Sequence, residues 1–344
     1  MTADMTTDMI ADPSGTRSPG EVLSWSRATL EPALRGAVDT LPGSLRHLVG
    51  YHFGWWDERG GPTGSAAGSG KAIRPALVFL ASRAVGGDPL AAMPAAVAVE
   101  LVHNFSLVHD DVMDGDHTRR HRRTVWSVFG VGPAILAGDA LVTLAMDVLD
   151  GHPATSVLAA AVQDLLSGQS ADLEFEDRND VVLPECVRMA QQKTGALLGC
   201  SCAIGASFAG AEPVRVEHLR GFGEQLGLAF QVVDDLLGIW GDPAVTGKPV
   251  FSDLENRKKS LPVVAALTSG TPAGELLAER YATADEDLPG LAALIDEAGG
   301  RAWAHQQADA LVEAALCDLR LADPAPGPAA ELTGIADLVT HRDS

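Results

Sequence analysis

Apolar residues along this chain recur at spacings of three and four, the period that puts them on one face of a helix. From Ala95 onward, AAVAVELVHNFSLVHDDV carries the pattern clearly, and Pro75 can sit in the first turn of a helix that continues ALVFLASRAV. The same spacing predicts helices over about 133–150, 154–175, 184–208, 214–238, 252–267 and 300–321. No alternating run bounded by hairpin turns stands out, and aromatic residues make up only 5% of the chain. Breakers separate the helices: a Gly-rich loop over 56–70, a Gly/Pro/Asp loop over 241–249 and a Pro-rich turn over 323–328. No internal repeat or linker composition appears. The pattern therefore predicts one all-α domain over 21–344, a bundle of long helices, behind a disordered tail over 1–20.

That tail, MTADMTTDMIADPSGTRSPG, has neither a basic start nor an apolar stretch and does not read as a signal peptide. The uncharged stretch 194–211 is broken by glycine and serine and is short for a membrane span. No stable membrane insertion is expected.

Composition narrows the chemistry. Apolar residues are 46% and charged residues 21%, enough for a large core and too apolar for global disorder. Acids outnumber bases 46 to 25, a net charge of −21 that repels nucleic acids and anionic membranes. An anionic ligand must be met by a local basic cluster or by bound cations. The four cysteines, Cys186, Cys200, Cys202 and Cys317, are too few for a disulfide scaffold and read as reduced thiols of a cytoplasmic protein.

Two acidic clusters interrupt apolar helices. In the first, Asp110, Asp111 and Asp114 end a helix, with Asp110 and Asp114 one turn apart on a face that also carries His103 and Leu107. In the second, Asp234 and Asp235 follow Gln231, which is one turn from Asp235, and Asp242 lies in the next loop. Aspartate is a poor helix former and opposes the dipole at a C-terminus. Clusters of this kind call for a cation, and hard carboxylate oxygens on two helices suit Mg²⁺. Reading His109-Asp110 as part of a metal phosphohydrolase site needs further upstream histidines, and only His52 and His103 are present.

The few basic residues sit near these clusters. Lys71 and Arg74 lie in GSGKAIRP; Arg119, Arg120, Arg122 and Arg123 follow Asp114; Lys193-Thr194-Gly195, Lys248 and Lys258-Lys259 complete the set. Such a run can be a solvated loop, but beside a metal site it describes a diphosphate pocket.

In order and spacing, GKAIRP (70–75), LVHNFSLVHDDVMD (101–114), TRRHRRTVW (118–126), GD (138–139), GQSADLEFE (168–176), KTG (193–195), FQVVDDLLGIWGD (230–242), TGKP (246–249) and RKKSLP (257–262) are similar to the trans-isoprenyl diphosphate synthases, the polyprenyl synthetase family. The resemblance covers about 21–342 and is nearest to geranylgeranyl diphosphate synthases of actinobacterial type. It implies a helical bundle around a deep central cavity, a homodimer, and three Mg²⁺ ions between the acidic clusters and an allylic diphosphate. It implies further that Asp110 and Asp114 hold two ions and Asp234 the third, with Asp111 and Asp235 in the catalytic set beside Lys193. Arg119, Lys193, Thr194, Gln231, Lys248 and Lys258 would serve the allylic diphosphate, and Lys71, Arg74, His103 and Arg120 isopentenyl diphosphate. Phe105 and Ser106, a bulky and then a small residue upstream of Asp110, resemble synthases that stop at twenty carbons, geranylgeranyl diphosphate, with farnesyl diphosphate next.

The chain departs from the family pattern in three places. Gly238 stands where a third aspartate of the second motif is expected, and Asp242 could substitute through water. Ala72 replaces a basic residue, and Arg123 stands where proline is frequent. A class I terpene cyclase shares metal-triggered ionisation but needs no second diphosphate site, and a non-catalytic subunit of a heteromeric synthase would be free to lose its aspartates. Both remain alternatives to the prenyl-transfer reading.

Overall fold

Ser18 and Glu21 close a reciprocal cap at the start of α1 (Pro19–Asp39): the Ser18 hydroxyl accepts from the Glu21 N–H, and the Glu21 carboxylate accepts from the Ser18 N–H at 2.8 Å. The computed structural model describes residues 16–63, 70, 72–243, 250–283 and 286–340. Lys71 and Lys248 lie outside them. The stretch expected as a tail is ordered at its end, since α1 begins two residues before position 21 and Arg17 pairs with Glu331 at 3.0 Å.

Next come α2 (Gly43–His52), α3 (Ile73–Ala84) and α4 (Met93–Met113). Every residue of α4 from Ala95 to Val102 is buried. A helix apolar on all sides belongs in the middle of a bundle, and the alanines at 95, 96 and 98 let its neighbours come close. A two-residue hairpin, Thr118–Arg119 paired antiparallel with Arg122–Arg123, separates α4 from α5 (Val125–Phe129) and α6 (Val131–Val148). Its turn holds Arg120 and His121 in the left-handed region, with φ of 51° and 61°. The arginine run is thus a tight ribbon, which the sequence pattern did not indicate.

Helix α7 (Ala154–Glu176) precedes α8 (Leu183–Ala190), a π turn over Gln191–Gly195, and α9 (Ala196–Phe208). The expected helix 184–208 is therefore continuous but carries one surplus residue in a wide turn at its centre. Helix α10 (Pro213–Trp240) packs along α9. The expected helix 252–267 is two, α11 (Ser252–Glu255) and α12 (Leu261–Leu267). Arg257, in the left-handed region at φ 54°, breaks it, and Pro262 fits the first turn of the second piece. The chain ends in α13 (Pro272–Ala282), α14 (Leu288–Glu297), α15 (Gly300–Leu321) and α16 (Pro326–Thr340).

Helix α6 lies along α4, α9 along α3, and α15 along α10. Helices α4 and α6 are long and apolar enough to cross a membrane, but α4 is mostly buried within the protein and α6 packs against it. The cysteines are unpaired thiols, three of them buried.

The segment just before α1 is tied to α16 at Glu331, which is buried and receives both Arg17 and Arg83. Removing one partner from a buried ionic cluster leaves uncompensated charge. Because both arginines keep some contact with water, Glu331→Ala should lower stability by about 2 kcal/mol, read as a shift of the urea midpoint with an unchanged slope.

Candidate active site

One cleft of about 320 Å³ gathers side chains that are far apart in the sequence: Arg74 from α3, Glu100, His103 and Leu107 from α4, Arg119 and Arg120 from the hairpin, Leu198 from α9, and Phe230 and Asp234 from α10. Arg74, Arg119 and Arg120 make it cationic around Glu100, and Asp234 brings the acidic cluster of α10 to it.

Within the cationic group, the Arg74 Nε is buried without a protein partner. Burial lowers the Arg74 pKa to about 10, against the pull of Glu100, so the guanidinium stays charged at neutral pH. A buried cation with an orphaned donor suits an anionic ligand. Arg120 lies against Gly70, where a Cβ would come within 2.5 Å of its Nη2, and Arg27 donates to the Gly70 carbonyl at 2.8 Å. His103 is held well below the usual histidine range by burial and by Arg74, Arg120 and Arg119, so it is neutral here. Glu100 faces this group, its own pKa raised by burial and pulled back by Asn104, Arg74, Arg120 and Arg27. Asn104 donates to Glu100 at 3.0 Å, and its Oδ1 lies 2.9 Å from His52 Nε2. Burial holds His52 near 3, so it is neutral and its Nε2–H donates to Asn104.

In the first acidic cluster, α4 ends in Asp110, Asp111 and Asp114. Burial raises Asp110 to about 6, against the nearby positive charge of Lys193. Asp111 is also raised to about 6 by burial, although Arg119 Nε donates to it at 2.6 Å. It is buried and turned towards the hairpin. Arg122 and Arg123 serve the scaffold, Arg122 donating to the carbonyls of Tyr51 and Trp56 and Arg123 to that of Ser127.

The π turn sets Lys193 and Thr194. It is clamped between two glycines: a Cβ at Gly168 on α7 would lie 2.4 Å from the Lys193 nitrogen, and one at Gly227 on α10 would lie 2.7 Å from the Gly195 Cα. Lys193 pairs with Asp172 at 2.6 Å. Thr194 donates to Gln231 at 2.7 Å, and Gln231 donates to Asp235 at 2.7 Å. The other Asp235 oxygen accepts the Leu261 N–H at 2.8 Å, capping α12. Asp234 lines the cleft, whereas Asp235 is buried beneath it. Burial and the Asp253 carboxylate raise Asp235 to about 8, against its two hydrogen bonds.

Lys258 is half-buried, and burial alone would lower its pKa. Asp253, Asp172, Asp114 and Asp235 outweigh that effect and raise it. Lys258 is therefore surrounded by both acidic clusters. Lys259 turns away to the Glu176 carbonyl. Phe105 is buried edge-on to His109 at 4.9 Å, and the Ser106 hydroxyl donates to the His103 carbonyl at 2.8 Å.

A family model described as polyprenyl synthetase matches residues 64–297. The chain belongs to the polyprenyl synthetase family. It is 46% identical over 342 residues to the (2E,6E)-farnesyl diphosphate synthase of Mycobacterium tuberculosis, covering 96% of this chain and 95% of that one. It is also 46% identical over 334 residues to the geranylgeranyl diphosphate synthase of the same organism, covering 94% and 93%. A crystal structure of a polyprenyl synthetase from Streptomyces coelicolor superposes with a TM-score of 0.88 at 46% identity, covering 93% of this chain and 98% of that one. The chain is a trans-prenyltransferase.

Among the described residues, no three His, Cys, Asp or Glu side chains come close enough to hold an ion alone. The candidate donors, Asp110 and Asp114 at the end of α4 and Asp234 on α10, are all carboxylates, and Asp234 lines the cleft. That set fits Mg²⁺, which takes a few carboxylates and completes its octahedron with water and phosphate. Sequence reading assigned no role to Glu100, Arg27, Asp172 or Asp253. Glu100 was the most visible of them, a lone acid in the buried run of α4.

Metal binding requires the ionised carboxylates. With Asp110 and Asp111 titrating near 6, Mg²⁺ binding with inorganic diphosphate should weaken as pH falls below 6, approaching about tenfold per unit for each proton taken up. Calorimetry between pH 5 and 8 reads this; a flat affinity would contradict it.

Proposed function

We propose that this prenyltransferase condenses isopentenyl diphosphate with an allylic diphosphate and releases geranylgeranyl diphosphate, with farnesyl diphosphate as the shorter alternative. The observation that carries the reading is the single cleft with a cationic half around Arg74, Arg120 and neutral His103, facing Asp234. A cyclase handling one diphosphate has no use for the cationic half.

In this reading Arg74, His103 and Arg120, joined by Lys71, hold the diphosphate of isopentenyl diphosphate. Arg119, Lys193 and Lys258, with Lys248, meet the allylic diphosphate, and the Thr194–Gln231–Asp235 chain fixes the floor beneath it. Three Mg²⁺ ions, held by Asp110, Asp114 and Asp234, would supply Lewis-acid stabilisation of the departing diphosphate. The allylic C–O bond breaks and its electron pair leaves with the diphosphate. Lys193, Lys258 and Arg119 stabilise that charge. Leu107, Leu198 and Phe230 keep water from the carbocation. The alkene of isopentenyl diphosphate supplies the electrons of the new C–C bond, and the proton then lost goes to the released diphosphate. His103, crowded by arginines, is a poor proton acceptor and acts as a neutral donor. Phe105, backed by His109, forms the floor that limits chain length, with Ser106 leaving room beside it.

The outward face of α6 exposes Val131, Ile135 and Leu136, and Val157 and Leu166 are exposed on α7. An apolar face of this kind supports a homodimer. The unpaired cysteines support a reducing, cytoplasmic setting.

The test is incubation with Mg²⁺, isopentenyl diphosphate and five-, ten- or fifteen-carbon allylic diphosphates. A twenty-carbon alcohol seen only after phosphatase treatment is the expected result. A hydrocarbon formed from one allylic diphosphate alone would mean a cyclase, and no turnover a non-catalytic subunit. Phe105→Ala should lengthen the product by at least one five-carbon unit, read by mass. Leu136→Arg should halve the mass in light scattering while leaving the helical signal intact.

A further inference from the structure

Helix α10 presents Asp234 to the cleft, and one turn later, where the family motif carries a third aspartate, it has Gly238. The space beside Gly238 is not empty. A Cβ built there would lie 2.3 Å from Asp253 Oδ2, 2.4 Å from its Cγ and 2.7 Å from Oδ1. The Asp253 carboxylate thus fills the volume that a side chain at 238 would need. Building on the prenyl-transfer reading, we propose that Asp253 takes the place of the missing third aspartate and positions the cation held by Asp234.

The backbone is arranged to deliver it. Phe251 adopts the left-handed region at φ 66°, its N–H bonds the Ile239 carbonyl at 3.3 Å, and the Ser252 hydroxyl bonds the Gly238 carbonyl at 3.3 Å. The first turn of α11 is thereby fastened onto α10 at 238–239. Asp253 is buried, and its own carbonyl accepts the Lys258 N–H at 2.9 Å, tying the residue to a lysine that faces both acidic clusters. The alternative donor, Asp242, lines a different cleft of about 240 Å³, with Trp240, Arg301 and His305. With this backbone, a side chain at 238 and the Asp253 carboxylate compete for one space, so glycine there is a requirement of the arrangement. Carboxylates in this position orient metal-bound water or bind the ion itself.

The experiment is Mg²⁺ titration by calorimetry in the presence of inorganic diphosphate, which needs no turnover. Asp253→Asn should weaken ion binding at least tenfold and shift the Mg²⁺ dependence of kcat upward, with KM for isopentenyl diphosphate unchanged. Gly238→Ala, which removes no charge, should weaken binding by displacing the carboxylate. Restoring an aspartate with Gly238→Asp in an Asp253→Ala background, where that space is vacated, should recover at least half of the loss seen in Asp253→Ala alone, whereas Asp242→Asn should change nothing. Unchanged binding in both Asp253→Asn and Gly238→Ala, or a loss in Asp242→Asn matching that in Asp253→Asn, would overturn the assignment while leaving prenyl transfer intact. An unmodified chain that binds no Mg²⁺ with diphosphate would remove the prenyl-transfer reading and this assignment together.

Discussion

The site depends on holding several carboxylates close together at the edge of a protein interior without letting them drive the helices apart. Two like charges about 4 Å apart repel by roughly 4 kcal/mol at an effective dielectric of 20. The chain answers that repulsion with a small number of cations placed between the clusters. Lys193 is tethered to Asp172 and felt by Asp110, Arg119 is bonded to Asp111, and Lys258 stands among Asp253, Asp172, Asp114 and Asp235. Burial raises these carboxyl pKa values to about 6 and 8, and the neighbouring cations and hydrogen bonds offset it only in part. Partial compensation is what a cation-binding cleft requires, since complete internal neutralisation would leave a divalent ion nothing to gain.

The same logic runs in reverse in the cationic group. Arg74 and Arg120 share a pocket with Glu100, and the Asn104–His52 pair fixes that carboxylate from behind. A lone acid among arginines weakens their mutual repulsion and keeps the cleft assembled. The two groups are thus charge-balanced by opposite devices.

Much of this was legible in the sequence because it is written at helical spacing. Asp110 with Asp114 and Gln231 with Asp235 fall one turn apart, and the hydrogen bond between the second pair is present at 2.7 Å. Asp234 and Asp235 are adjacent, but periodicity did not say that one faces the cleft and the other caps α12. Spacing also could not divide the arginine run, because a hairpin with two left-handed residues decides which side chains turn inward. Gly238 read as a loss because the carboxylate beside it arrives from fifteen residues away, across a chain reversal no local pattern encodes. Glu331 was equally invisible, since its partners lie at positions 17 and 83.

The π turn has a consequence for how this protein can change. In it the Ala196 N–H reaches back five residues to the Gln191 carbonyl instead of four. The helix therefore carries one residue more than its ideal winding accommodates, and the surplus is absorbed in one turn. Deleting a single residue there would leave a smooth α-helix whose flanking turns keep their faces, and would remove the local displacement that the π turn gives the residues within it. Lys193 and Thr194 would then swing away from the glycines that clamp them. An alignment would score such a gap as trivial, yet the fold would survive it and the chemistry would not.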